Sequence, residues 1–125
     1  MIQEQYVSKE TAKLLRKKNF NEYCYTLYCD EDDKLYYGLD KDSYQNSNLN
    51  SNCYTAPTQS HVMRWLREVH RIHIATEPYC GYNTFSYFIW KDNFSKDITP
   101  RDKTYKSHEE ACEVAIKYCL ENLIN

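Results

Sequence analysis

The chain predicts an α+β domain of two layers: a four-stranded, mostly antiparallel sheet with three helices, ordered α-ββ-α-ββ-α. Three observations carry this expectation. Stretches beginning near residues 8, 57 and 107 repeat apolar side chains at helical spacing behind start signals. Residues 23–29, 34–39, 72–76 and 84–91 alternate, or run apolar, as strands do. The strands come in consecutive pairs joined by turn-forming residues, which favours antiparallel neighbours. A chain of 125 residues, 42% hydrophobic and 27% charged, is long enough to bury a core, and one domain over 1–125 is expected.

Ser8 caps the first helix, which runs through Lys9 to Lys18 with Ala12, Leu14 and Leu15 inward. Lys9, Lys13, Arg16 and Lys17 stand outside. Asn19 tolerates the left-handed conformation that ends helices, and Phe20 packs back on the last turn. Tyr23, Tyr25, Leu27 and Cys29 then share one strand face, as do Leu35, Tyr37 and Leu39 on the returning strand. The intervening Asp30-Glu31-Asp32-Asp33 reads as a solvated hairpin tip, because it lacks the spaced ligands and glycine of a calcium loop. Residues 40–55, rich in Asn and Ser, read as a long loop pinned by Leu49 and Tyr54.

Pro57 suits the first turn of the second helix. Val62, Leu66 and Val69 form its apolar line, widened by Met63 and Trp65, while Arg64, Arg67 and Arg71 make a second stripe. Ile72, Ile74 and Thr76 alternate until Pro78, and Cys80-Gly81-Tyr82-Asn83 supplies a turn. The return strand turns Phe85, Tyr87 and Ile89 one way and Phe88 and Trp90 the other. Residues 92–106 read as a polar loop. Ser107 and Glu110 form a capping box for the last helix, whose stripe is Cys112, Ala115, Ile116, Cys119, Leu120 and Leu123. Glu113 and Lys117 stand one turn apart on its outside.

Composition narrows function. Two glycines argue against a phosphate-cradling loop, and 16 basic against 18 acidic residues disfavour non-specific duplex binding. Thirteen tyrosines suit pleated surfaces, and also an aromatic contact face. The start of the chain has no basic segment leading into an apolar run, and no stretch approaches membrane-spanning length. The expected setting is therefore a reducing cytoplasm, where Cys24, Cys29, Cys53, Cys80, Cys112 and Cys119 stay mostly free thiols. The spacing offers no zinc motif.

Cysteine catalysis would draw on Cys29, Cys53 or Cys80 with His61, His70 or His73, but nothing local marks any of them as reactive. No catalytic, cofactor-binding or metal-binding residue is assigned, and His108 has no support as a ligand. The candidate binding surface is Arg64, Trp65, Arg67, Arg71, Tyr36, Phe88 and Trp90. Tyr, Trp and Arg are enriched at protein interfaces, and a sheet apolar on both faces needs a cover, so self-association and contact with another protein are expected. The same arginines and rings suit single-stranded nucleic acid. Against that, Arg64 and its neighbours beside Glu68 also read as an ordinary solvated face. A small nucleotide-like ligand in a tyrosine-lined pocket between protomers is a weaker reading.

The segments Tyr6-Val-Ser-Lys-Glu-Thr-Ala-Lys-Leu-Leu, Ala56-Pro-Thr-Gln-Ser with Trp65-Leu-Arg-Glu, and Glu109-Glu-Ala-Cys-Glu-Val-Ala-Ile carry a resemblance. Together they resemble small uncharacterised proteins encoded by phages and mobile elements of gut Bacteroides-type bacteria. The resemblance implies a cytoplasmic setting during phage or prophage gene expression and brings no activity or site residues with it. Asn19 stands where such proteins often carry glycine. The resulting expectation is a non-enzymatic binding protein acting by macromolecular contact, in host interaction or anti-defence.

Overall fold

The computed structural model describes residues 4–38, 43–78, 84–92, 96, 97, 99 and 104–124. The chain divides into two compact units between Thr58 and Gln59. The first holds helix α1 (Lys9–Lys17) and strands β1 (Thr26–Cys29), β2 (Tyr36–Tyr37) and β3 (Cys53–Thr55). The second holds α2 (Gln59–His70), β4 (Ile72–Pro78), β5 (Phe85–Lys91), β6 (Lys96–Asp97) and α3 (His108–Asn122).

In the first unit, Ser8 caps α1 as expected, its Oγ accepting from the Thr11 N–H at 3.2 Å. Asn19 ends the helix at φ 66°, and the fully buried Phe20 folds back to donate its N–H to the Leu15 carbonyl. The sheet is antiparallel in the order β2-β1-β3, with Tyr28 opposite Tyr54 and Cys29 opposite Cys53. Arg16, read as an exterior cation, instead donates to three carbonyls, those of Asn50, Leu49 and Cys53. That grip ties the turn before β3 to α1. Asn46, in a short 3-10 turn at Asn46–Asn48, donates to the Phe20 carbonyl and accepts from the Thr55 N–H. This one amide therefore satisfies backbone groups that burial would otherwise orphan.

In the second unit, α2 and α3 pack against each other and both against β4, and α3 also packs on β5. The hairpin register sets Ile74 opposite Ile89 and Thr76 opposite Tyr87. The pleat therefore puts Ile72, Ile74, Thr76, Tyr87 and Ile89 on one face, and Ile72, Tyr87 and Ile89 are buried there. Ser107 caps α3, accepting from the Glu110 N–H at 3.0 Å. Ala111, Cys112, Ala115, Ile116, Cys119 and Leu120 form the buried stripe of α3.

Several expectations need correction. Among the described residues the strands form two three-stranded antiparallel sheets, with one hairpin in each, rather than the expected single four-stranded sheet. In the first sheet β3 takes the second side of β1, and in the other β6 takes the second side of β5. Both extra strands fall in stretches read as polar loops. They are two or three residues long, and their pairing rests on tertiary partners rather than on pattern. Cys29 and Cys53 are not free thiols: they are joined in a disulfide across β1 and β3, whereas Cys24, Cys112 and Cys119 are free and buried. On α2 the buried set is Gln59, Val62, Trp65 and Leu66, while Val69 is 59% exposed. Buried Gln59 is satisfied by donating to the Glu109 carbonyl and to Glu113 Oε1. Leu39, Cys80 and the expected turn at 80–83 lie outside the described residues.

Candidate functional site

The first unit gathers exposed rings along the β2 side of its sheet. Tyr36 and Tyr37 make up β2, and Tyr25, on the segment entering β1, accepts at its carbonyl from the Gly38 N–H. Tyr23, Tyr25, Tyr36 and Tyr37 are 61%, 62%, 43% and 65% exposed. Tyr37 lies opposite Thr26 and takes the edge of the Tyr6 ring at 6.0 Å. Tyr36 lies opposite Leu27, on the other face, and its hydroxyl donates to the Asp32 carboxylate. That bond, with the Lys34 N–H, holds the Asp32 carboxyl below its ordinary range.

The inner tyrosines are tied down. The Tyr28 hydroxyl donates to the Val7 carbonyl at 2.7 Å, and Tyr54 donates to both Asp30 oxygens at 3.0 and 3.1 Å. Lys13 sits 5.6 Å above the Tyr54 ring and 3.4 Å from Asp30. The Tyr54 hydrogen bond and then Lys13 hold the Asp30 carboxyl low. These groups fasten α1 to the strands, so the acidic turn is occupied by the protein's own cations.

The remaining candidate residues lie in the second unit. Phe88 and Trp90 stack with centroids 5.7 Å apart and ring planes 18° from parallel, on the face of β5 turned away from Tyr87 and Ile89. Arg64 is exposed and pairs with Glu68 at 3.2 Å, and Arg67 is exposed on the same helix. Arg71 is exposed at φ 58°, where the chain turns from α2 into β4. Trp65 is 7% exposed and meets the edge of His70 at 4.7 Å, so it belongs to the interior rather than to a contact surface. Burial, then Lys91, lowers the His70 pKa below its ordinary value. The structure thus brings Phe88 and Trp90 together, keeps Arg64 and Arg67 on α2 with Arg71 just past its end, and puts Tyr36 in the other unit.

Sequence reasoning did not single out Tyr23, Tyr25 and Tyr37 as exposed groups, because alternation grouped them on strand faces with Leu27, Cys29 and Leu35. One available signal was that residues 23–38 contain no Val or Ile, the side chains expected where a strand faces a core. It also missed a cysteine–histidine pair. His108 Nε2 lies 3.6 Å from Cys112 Sγ, and the other ring nitrogen bonds the Thr76 hydroxyl. A nucleophile needs an accessible thiol with a lowered pKa. Cys112 is 1% exposed, and burial pushes its thiol up, the reverse of both conditions. No group of three or more metal-ligating side chains gathers among the described residues. A cleft of about 350 Å³ is lined by Arg16, Asn19, Phe20, Asn21, Asn46 and Ser47, without a tyrosine.

Buried thiols should make stability fall at alkaline pH. Burial pushes Cys24 up to about 11 and Cys119 to about 12, from an ordinary 9.0. Between those values the unfolded chain has lost protons that the folded chain keeps, so stability drops as pH rises above 9.0. Urea midpoints measured at increasing pH above that point should decline, and Cys119→Val should make the decline shallower. An unchanged slope would show that Cys119 is not the thiol responsible.

Compared with protein-family models, curated proteins and solved structures, the chain matches none. Among the described residues, no helix is long and apolar enough to cross a membrane.

Proposed function

We propose that the protein is a non-enzymatic binding protein that contacts a host or phage protein through the tyrosine edge of its first unit. One observation supports this most: Tyr23, Tyr25, Tyr36 and Tyr37 remain exposed beside a sheet only three strands wide. An exposed ring with a hydroxyl offers large apolar area and a hydrogen bond, while freezing few torsions on contact. Clustered rings of this kind mark contact surfaces more often than inert ones. The cytoplasmic, phage-type setting rests on the resemblance. In such a compartment the Cys29–Cys53 bond would follow the thiol poise of the cell.

Single-stranded nucleic acid is supported mainly by the Phe88–Trp90 stack on β5, since Arg64 on α2 is engaged by Glu68. A nucleotide-like ligand gains little from a cleft whose Arg16 and Asn46 already serve the backbone.

The test is a comparative capture from bacterial lysate with the wild type and with Tyr25→Ser/Tyr37→Ser. A stoichiometric protein held by the wild type should be lost, by about tenfold or more in affinity, from a variant that melts at the same temperature. Retention of the same proteins in the same amounts would overturn the tyrosine-edge reading.

A further inference from the structure

The seven-residue strand β4, Ile72–Pro78, is an edge strand in a sheet ordered β4-β5-β6. The direction of its free backbone groups follows from its neighbours. Ile89, opposite Ile74, bonds Thr99 Oγ1 through both its N–H and its carbonyl, and Phe85, opposite Pro78, exchanges both its backbone bonds with Tyr105. These β5 residues therefore turn away from β4. By the alternation of an antiparallel ladder, Ile74 and Thr76 point their own N–H and carbonyl groups outward from β4. Among the described residues, no backbone partner meets these outward groups.

Such an edge is a template for another strand unless it is short, bulged or blocked by charge. The edge strands β2, β3 and β6 are only two or three residues long. By contrast, β4 is long, Ala75 and Glu77 on it are exposed, and its proline comes last. Its polar side chains are also self-complementary. If two copies pair antiparallel about Ala75, Ile74 of one exchanges backbone bonds with Thr76 of the other. His73 then falls directly opposite the second copy's Glu77, at a closely spaced non-hydrogen-bonded pair, and the symmetry repeats the match.

We propose that β4 pairs with β4 of a second copy of this chain, in the register that sets His73 against Glu77. This joins the two sheets edge to edge into one six-stranded sheet and gives a closed two-fold dimer. The Phe88–Trp90 stacks of the two copies then lie on one continuous face, with His73, Ala75 and Glu77 between them. The surface differs from the tyrosine edge, so either reading can fail without the other.

Sedimentation equilibrium over a concentration series is the test. The wild type should form a dimer, and Tyr25→Ser/Tyr37→Ser should leave that dimer intact. His73→Glu sets carboxylate against carboxylate and should weaken it about tenfold, Glu77→His removes the carboxylate and should weaken it less, and the exchanged double variant His73→Glu/Glu77→His should recover most of the loss seen with His73→Glu. Thr76→Pro removes an outward N–H and should give a monomer, with its melting temperature checked because Thr76 also bonds His108. A wild type that stays monomeric at about 100 μM overturns the proposal. So does a dimer indifferent to both single charge variants, or one that the exchange does not rescue.

Discussion

Phe20→Ala is expected to lower stability by about 3–5 kcal/mol, read as a fall in the urea midpoint with little change in slope. Phe20 is the largest of the fully buried side chains. It follows the left-handed turn at Asn19, and its backbone is fixed at both ends, the N–H on Leu15 and the carbonyl on Asn46. The backbone cannot readily follow a shrinking side chain, so the vacated volume stays as a cavity rather than collapsing. A domain of this size is stabilised by only about 5–15 kcal/mol, and the loss should raise the unfolded, protease-sensitive fraction by about a hundredfold or more. Phe20→Leu refills most of the space and should recover more than half of the loss. A change below about 1 kcal/mol for the alanine variant would mean that Phe20 does not hold the first unit together.

The features read correctly from sequence were those set within one turn of chain. The caps at Ser8 and Ser107, the left-handed Asn19 and the stripe of α3 each depend on residues three or four positions apart. Strand grouping was not legible in the same way. Nothing in Cys53-Tyr-Thr55 distinguishes a partner for β1 from the end of an Asn- and Ser-rich loop. Its place is set by Arg16 and Asn46, which lie 37 and nine positions away from the backbone groups they bind. The candidate surface was only partly legible for a related reason. Helical periodicity locates a stripe but leaves its rotation open by a residue, so Trp65 went inward and Val69 outward. Tyr36 was found because it alternates outward. Tyr37 was not, because an edge strand two residues long exposes both of its faces.

The second large effect concerns the Cys29–Cys53 bond. In the absence of reductant, Cys29→Ser/Cys53→Ser should destabilise the protein by roughly 3 kcal/mol. The bond closes a loop between residues 24 apart in sequence, and that loop contains β2 and the Asn- and Ser-rich stretch. Few turn contacts restrain those residues when the chain is unfolded, so cross-linking removes many conformations from the unfolded state and few from the folded one. In excess dithiothreitol the wild type should fall to the stability of the variant, because both then lack the bond. Thr26 and Arg16 should keep β3 in place even then, since the Thr26 hydroxyl donates to the Ala56 carbonyl and Arg16 to that of Cys53. The reduced chain should accordingly remain folded, with unchanged far-ultraviolet circular dichroism and a lower urea midpoint. Equal midpoints for wild type and variant without reductant would show that the two sulfurs are not joined in solution. Loss of secondary structure on reduction would show instead that the side-chain grip on β3 is too weak to act without the covalent link.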